Sequence, residues 1–424
     1  MSITVAGLHA LEILDSRARP TLTVVLSTKN DVWVRASVPS GASRGSREAV
    51  ERRDGDPARF RGLGVLGAVA AVNGEIADAL LGKRFDGQAD LDAALIALDG
   101  TPNKSRLGAN AIVGVSMAAA RAFAASTGTP LWRDFATPGW PARLPVPHFN
   151  VINGGVHAPN ELDFQEFMLA PIGAPSEADA VRAGAEIYSV LRELLTARGL
   201  SAGLGDEGGF APEIASPEAV LELLVDAIGA AGYTAGRDGV AIALDPASSE
   251  FYLDDAYQIA GSTLTSSEMV ERYTEIVDRF PVWLIEDGLA ESDWEGWEHL
   301  TARLGHRIEL VGDDVFCTNP VIISEAIARR VANAALIKVN QIGTVTETLD
   351  AVRICREAGY AQFVSHRSGE TDDDFIADLA VGISCGHIKS GAPARGERVA
   401  KYNRMIMIED AEHLAYGLHS IRAN

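Results

Sequence analysis

IALD (242–245), VWLIE (282–286), ELVGD (309–313), ALIK (335–338) and FVSH (363–366) are five short apolar runs, each closed by a polar residue. The closing residues Asp245, Glu286, Asp313, Lys338 and His366 stand 41, 27, 25 and 28 positions apart, room each time for one helix and two short loops. Parallel strands buried on both faces read as such uninterrupted apolar runs, and their chemistry gathers at the C-terminal ends. The pattern predicts a β/α barrel. An open, doubly wound sheet shares the alternation and is the competing reading.

Upstream the organisation changes. Residues 1–135 read as a separate α+β unit, with β-type runs at Leu22–Leu26 and Val32–Val38 around the turn Lys29-Asn30-Asp31, and a buried helix over Asn110–Ala125. Pro138, Pro141, Pro145 and Pro147 mark the boundary, leaving 140–424 as the barrel. A chain of 424 residues is long enough for both. With 47% hydrophobic and 22% charged residues it reads as globular; no run matches a membrane span and the N-terminus lacks a secretory pattern. Cys317, Cys355 and Cys385 are widely spaced without a CxxC, which argues against a disulfide framework and for a reducing cytoplasm. The net charge of −21 excludes a general nucleic-acid or anionic-membrane binder. An anionic substrate would need metal ions and a few Lys or Arg to concentrate positive charge locally.

Strand ends of a barrel converge on one mouth, so Asp245, Glu286 and Asp313 would face a common point and repel one another unless a cation joined them. Hard oxygen donors favour Mg²⁺ over zinc. Taken singly, each acid could equally cap a helix or solvate a loop. Lys338, flanked by apolar neighbours and near divalent cations, would have its pKa lowered toward a useful base. Within Gly205-Asp206-Glu207-Gly208-Gly209 the glycines let a carboxylate approach a ligand closely, and Glu207 would donate a proton if its pKa were raised. The loop Pro39–Ser46 is small, polar and suited to a lid. Ser365-His366-Arg367-Ser368-Gly369 combines imidazole, guanidinium and hydroxyl groups suited to clamping a phosphate.

An ordered series of motifs along nearly the whole chain closely resembles the enolase family: EILDSR (12–17), VPSGAS (38–43), LGANAI (107–112), NGGVHA (153–158), QEFM (165–168), GDEGGFAP (205–212), IEDG (285–288), VGDD (311–314), IKVNQIGT (337–344), SHRSGET (365–371) and IKSGAPAR (388–395). The resemblance implies an enolase-type (β/α)8 barrel with one early strand reversed, an N-terminal α+β capping domain, and a homodimer or higher homo-oligomer. It implies Asp245, Glu286 and Asp313 as ligands of a first Mg²⁺ and Ser43 as a ligand of a second ion that binds with substrate. Lys338 would be the general base and Glu207 the general acid, assisted by Glu166. His157, Gln165, His366, Arg367, Ser368 and Lys389 would surround a small phosphorylated hydroxy acid. The implied reaction is dehydration of 2-phosphoglycerate to phosphoenolpyruvate.

The chain also departs from the family pattern. Arg44 follows Ser43 where a threonine is usual, Ala18 and Arg19 interrupt DSRGNP, Pro246 follows a metal-ligand position, and Thr23 and Met407 stand where Glu and Arg often bridge a dimer. An added guanidinium at Arg44 would suit a substrate with one more negative group. That keeps open a paralogue acting on a phosphonylated hydroxy acid, such as a carboxyphosphonoenolpyruvate synthase of phosphonate biosynthesis. A non-catalytic binding protein is the third reading; it fits poorly with a full set of catalytic groups and with a chain ending Arg422-Ala423-Asn424, without a terminal lysine.

Overall fold

The computed structural model describes residues 2–137 and 139–418; Pro138 and the chain end at 422–424, both used in the sequence reading, lie outside the described residues. The N-terminal region forms a four-stranded sheet from β1 (Ile3–Leu14), β2 (Pro20–Thr28), β3 (Trp33–Ser37) and β4 (Arg84–Phe85), ordered β3-β2-β1-β4. The helix Ala109–Ser126 packs across it. Close approach requires Gly114, because a Cβ there would lie 2.8 Å from Val24 Cγ2. By length and composition this helix could span a membrane, contrary to the sequence reading that no run could, yet 83% of it is buried inside the protein. It is a core helix.

The barrel strands are β5 (Val146–Asn153), β6 (Glu166–Ala170), β7 (Ala241–Asp245), β11 (Val282–Glu286), β12 (Glu309–Gly312), β13 (Ala334–Ile337), β14 (Ala361–Ser365) and β15 (Gly386–Lys389). They close in the order β11-β12-β13-β14-β15-β5-β6-β7. Between β7 and β11 a three-stranded flap of β8 (Tyr252–Leu253), β9 (Ala256–Ile259) and β10 (Ser262–Leu264) is inserted. All five predicted runs are barrel strands, although Asp313, Lys338 and His366 stand one residue past the ends of theirs. Every residue of β7 and β11 is buried, because side chains on one face fill the barrel and those on the other meet the surrounding helices. Met168, Ala243, Trp283, Leu336 and Phe363 fill the interior, while Ile242, Leu244 and Ile285 join the outer core. The helices that return the chain start on side-chain caps, including Ser176, Ser216, Asn319 and Thr344, and on a capping box at Thr265 and Glu268.

One strand is reversed. β6 pairs antiparallel with both β5 and β7, placing Glu166 opposite Asp245 and Asn153. Reversal brings the N-terminal end of β6, not its C-terminal end, to the mouth where the other strands finish. The N-terminal region reaches the same mouth through the segment around Ser40, whose N–H donates to the Gly369 carbonyl at 2.8 Å and whose carbonyl accepts from Gly369 N–H at 2.8 Å.

Candidate active site

A narrow polar cavity opens at the C-terminal mouth of the barrel, lined by Ser43, His157, Gln165, Glu166, Glu207, Asp245, Asp313, Lys338, His366, Arg367, Ser368 and Lys389 among others. Twelve of the fourteen residues singled out from sequence thus meet around one space. Glu286 lies beside it, with Oε1 2.8 Å from Lys389 Nζ. Arg44 does not line it: its side chain is 46% exposed and its Nη1 sits 3.4 Å from Glu51 Oε2.

Two ammonium groups organise the acids. Lys389 Nζ donates to Glu166 Oε2 at 3.1 Å, Asp245 Oδ2 at 3.3 Å and Glu286 Oε1 at 2.8 Å. Lys338 Nζ donates to Asp313 Oδ2, whose other oxygen accepts from Gln341 Nε2 at 2.8 Å. Five buried carboxylates (Glu166, Glu207, Asp245, Glu286 and Asp313) therefore face two ammoniums, while Arg367 is committed to Glu48 at 2.9 Å. Burial, then repulsion from Glu207, pushes Glu166 well above the usual carboxylate range; burial, then Asp245, does the same to Glu286. Such a surplus of hard oxygen donors fits a divalent cation.

The tightest groupings of possible ligands among the described residues are His157–Glu166–Glu207 and Asp287–Asp313–Asp314. The Asp245–Glu286–Asp313 set is not among them; here its acids are drawn onto the two lysines. Asp287 has another task, since its carboxylate accepts the N–H groups of Asp313 and Asp314 at 2.8 and 2.9 Å and shapes the turn after β12.

The direction at Glu207 differs from the sequence expectation, and that at Lys338 is set by Asp313 rather than by a cation. Burial alone would lower Lys338, but the Asp313 charge beside it raises the pKa above the ordinary lysine value. Glu207, expected to be raised, is held well below the carboxylate range: burial pushes it up, and the more numerous opposing neighbours, led by His366 and His157, overcome that. Asn150 Nδ2 also donates to Glu207 Oε2, at 3.0 Å.

Other polar atoms remain open toward a ligand. Both ring nitrogens of His157 and Oε1 of Gln165 are buried without a hydrogen-bond partner. Ser368 Oγ accepts from the Ala42 N–H at 2.7 Å, and Arg367 Nη2 donates to the Ser43 carbonyl at 3.2 Å, so the small-residue loop docks on the same loop that offers the phosphate-type clamp. Gly41 permits this approach; a Cβ there would lie 2.1 Å from Arg367 Nη2. Sequence reasoning missed Asn150, Glu48 and Gln341. The first is an amide within an apolar strand run and the last lies inside the quoted IKVNQIGT motif, so both carried a readable signal.

Comparison with known proteins agrees with this architecture. The model described as "Enolase, N-terminal domain" matches residues 5–135, and "Enolase, C-terminal TIM barrel domain" matches 141–419. The enolase of Rubrobacter xylanophilus is 54% identical over 409 residues, covering 96% of this chain and 95% of that protein. The chain belongs to the enolase family. The enolase of Acidothermus cellulolyticus is likewise 54% identical over 406 residues, covering 96% of this chain and 94% of that protein. Within this family the reversed β6 and the mouth cavity are the frame in which the acids, lysines and histidines above are to be read.

Proposed function

We propose that this enolase-family chain is a Mg²⁺-dependent hydro-lyase that converts 2-phosphoglycerate to phosphoenolpyruvate and water. The carrying observation is that Lys338 and Glu207 belong to separate polar clusters of one buried cavity, Lys338 on Asp313 and Glu207 among His366, His157 and Asn150. Lys338 Nζ takes the proton from C2, the electron pair left on C2 forms the C2–C3 double bond, and the C3 hydroxyl leaves as water with a proton from Glu207. A lysine base beside Mg²⁺ is the known arrangement of enolase-superfamily sites. Asp245, Glu286 and Asp313 would hold one ion and Ser43 would contribute to a second that binds with substrate. When bound, Mg²⁺ supplies positive charge next to the substrate carboxylate as that group gains negative charge.

The protonation directions match the reverse step of this assignment. A charged Lys338 and an ionised Glu207 are the forms left after the forward reaction and the forms needed for the reverse hydration. The forward reaction needs Lys338 neutral and Glu207 protonated; Asp313, once released from Lys338, would be free to hold Mg²⁺ with Asp245 and Glu286. Arg367 and Ser368 are assigned to the phosphate, His157 and Gln165 to the remaining substrate oxygens, Lys389 to charge balance at the carboxylate end, and Glu166 to assisting Glu207.

The phosphonate reading is not favoured: Arg44, its main support, pairs with Glu51 outside the cavity lining, and the relatives named above are enolases. We further propose residues 1–135 as the capping unit, 140–424 as the catalytic unit, a cytoplasmic glycolytic setting in keeping with three buried free cysteines, and a homo-oligomer. Its interface would lack a Glu–Arg bridge at the two positions noted, since Thr23 is buried and donates to the Ala36 carbonyl while Met407 is 64% exposed. The test is appearance of the enol absorbance from 2-phosphoglycerate with Mg²⁺, its loss on chelation and its return on Mg²⁺ addition. Turnover undiminished by chelation, or absent with Mg²⁺ in excess, would reject the assignment.

A further inference from the structure

We infer that Arg398 is a positioning residue that fixes His366 in the tautomer protonated on Nε2, so that the ring offers Glu207 a donor and never an acceptor. The inference deepens the site reading above and rests on it for its catalytic consequence. Arg398 lies on the helix Gly396–Glu412 and is fully buried. Its Nη1 stands 2.6 Å from His366 Nδ1 and donates to the Arg367 carbonyl at 2.7 Å. Its Nη2 donates to the Ser368 carbonyl at 2.6 Å and the Asp206 carbonyl at 3.1 Å, with Ser16 Oγ at 3.4 Å.

A guanidinium has five donors and no acceptor, and it does not lose its proton in proteins. His366 Nδ1 must therefore present its lone pair. A proton there, whether in the neutral Nδ1–H form or in the imidazolium, would press two N–H groups together across 2.6 Å. Turning the ring over would put carbon against both Arg398 and Glu207 and strand both partners. The remaining form carries its proton on Nε2, which lies 3.2 Å from Glu207 Oε2, off the best hydrogen-bond alignment but within direct reach. Burial first, with Arg398 assisting, brings the ring pKa down to about 4 despite the upward pull of Glu207.

The same guanidinium spans two loops. The Arg367 and Ser368 carbonyls belong to the His366 loop, and the Asp206 carbonyl to the Glu207 turn, so one buried side chain sets their separation. Gly391 gives it room: φ there is +76°, and a Cβ would lie 2.8 Å from Arg398 Cδ and 2.6 Å from the Glu207 carbonyl oxygen. A ring already protonated on Nε2 has no site for the Glu207 proton. That proton is left for the departing hydroxyl.

The experiment is a long-range proton–nitrogen correlation on the full chain with ¹⁵N-labelled histidine, with His366 assigned by the signal lost in His366→Gln. The expected spectrum shows a pyridine-like Nδ1 and a protonated Nε2 for His366, unchanged from about pH 6 to 8. A protonated Nδ1, or a ring titrating in that range, overturns the inference. Arg398→Lys keeps a charged donor and should keep the tautomer. Arg398→Gln can turn either end of its amide to Nδ1; it should give mixed tautomers and lower kcat about 10-fold or more with little change in KM, by analogy with the 10- to 100-fold cost of losing a partner that orients a metal-bound histidine. Mixed tautomers with unchanged kcat would refute the positioning role. Should Arg398→Gln fail to fold, the wild-type spectrum still decides the tautomer. That spectrum is read without substrate, so it stands or falls separately from the proposed dehydration.

Discussion

Replacing Gly41 by alanine tests whether the docked loop and Arg367, the arginine we assign to the substrate phosphate, are mechanically linked. A Cβ at this position would lie 2.1 Å from Arg367 Nη2, 2.7 Å from its Cζ and 2.9 Å from the Ser43 carbonyl oxygen. Ordinary contact begins near 3.4 Å, so either the loop or the guanidinium must yield by more than an ångström. The guanidinium is not free to do so cheaply, because Glu48 holds it at 2.9 and 3.1 Å and Asn340 at 2.9 Å. A misplacement of about 1 Å in a catalytic constellation costs on the order of 100-fold in rate, or about 2.7 kcal/mol. Gly41→Ala should thus lower kcat/KM for 2-phosphoglycerate by roughly that factor, with a rise in KM as the phosphate anchor moves. Steady-state measurement of enol formation at saturating Mg²⁺ reads both parameters. Gly74→Ala is the matched control: that glycine is helical, has nothing within 4 Å of its would-be Cβ, and should leave kinetics unchanged. Wild-type kcat/KM in Gly41→Ala would refute the linkage.

Two other substitutions probe the margins of the site and the core beneath it. Arg44→Thr should leave 2-phosphoglycerate kinetics within about twofold, since Arg44 lies off the cavity with its side chain about half exposed and Glu51 keeps Arg53 at 2.7 Å as a partner; a fall of tenfold or more in kcat/KM would show that Arg44 reaches the substrate. Glu177 starts a helix with both carboxylate oxygens fully buried and unpartnered, and burial, then Glu409, raises its pKa well above the usual range. A raised folded-state pKa means that the folded chain holds the proton more tightly, so stability is greatest below the unfolded carboxylate pKa and falls as pH rises toward the folded value. Thermal unfolding of wild type followed from about pH 5 to 8 should show this decline, and Glu177→Gln should flatten it; parallel curves for the two proteins would contradict the sign.

Much of this architecture was readable because strand ends announce themselves. Burial on both faces leaves no choice but apolar residues along β7 and β11, and chemistry then appears as the first polar residue, Asp245 or Glu286. Strand direction leaves no such mark. Nothing in the periodicity of QEFMLA says that β6 runs backwards, and only family resemblance placed Glu166 at the mouth. β1 escaped because a bulge between Val5 and Gly7 breaks its alternation and because Leu11 and Leu14 are exposed. The flap strands β8 to β10, two to four residues long, are too short to show a period.

Proton affinities were the least legible property, since they depend on neighbours remote in sequence. Asp313, 25 positions before Lys338, raises that lysine's pKa, and the groups led by His366, 159 positions after Glu207, lower that acid's. Arg44 shows the opposite failing: a change that looks consequential beside Ser43 turns out to point at Glu51.

The division of labour between Lys338 and Glu207 is tested most directly by exchange of the C2 hydrogen of 2-phosphoglycerate with deuterated water in the presence of Mg²⁺, followed by NMR. If Lys338 alone removes that hydrogen, Glu207→Gln should exchange it while forming almost no enol, and Lys338→Ala should do neither. Exchange that survives in Lys338→Ala, or that disappears in a folded Glu207→Gln protein, would contradict the account.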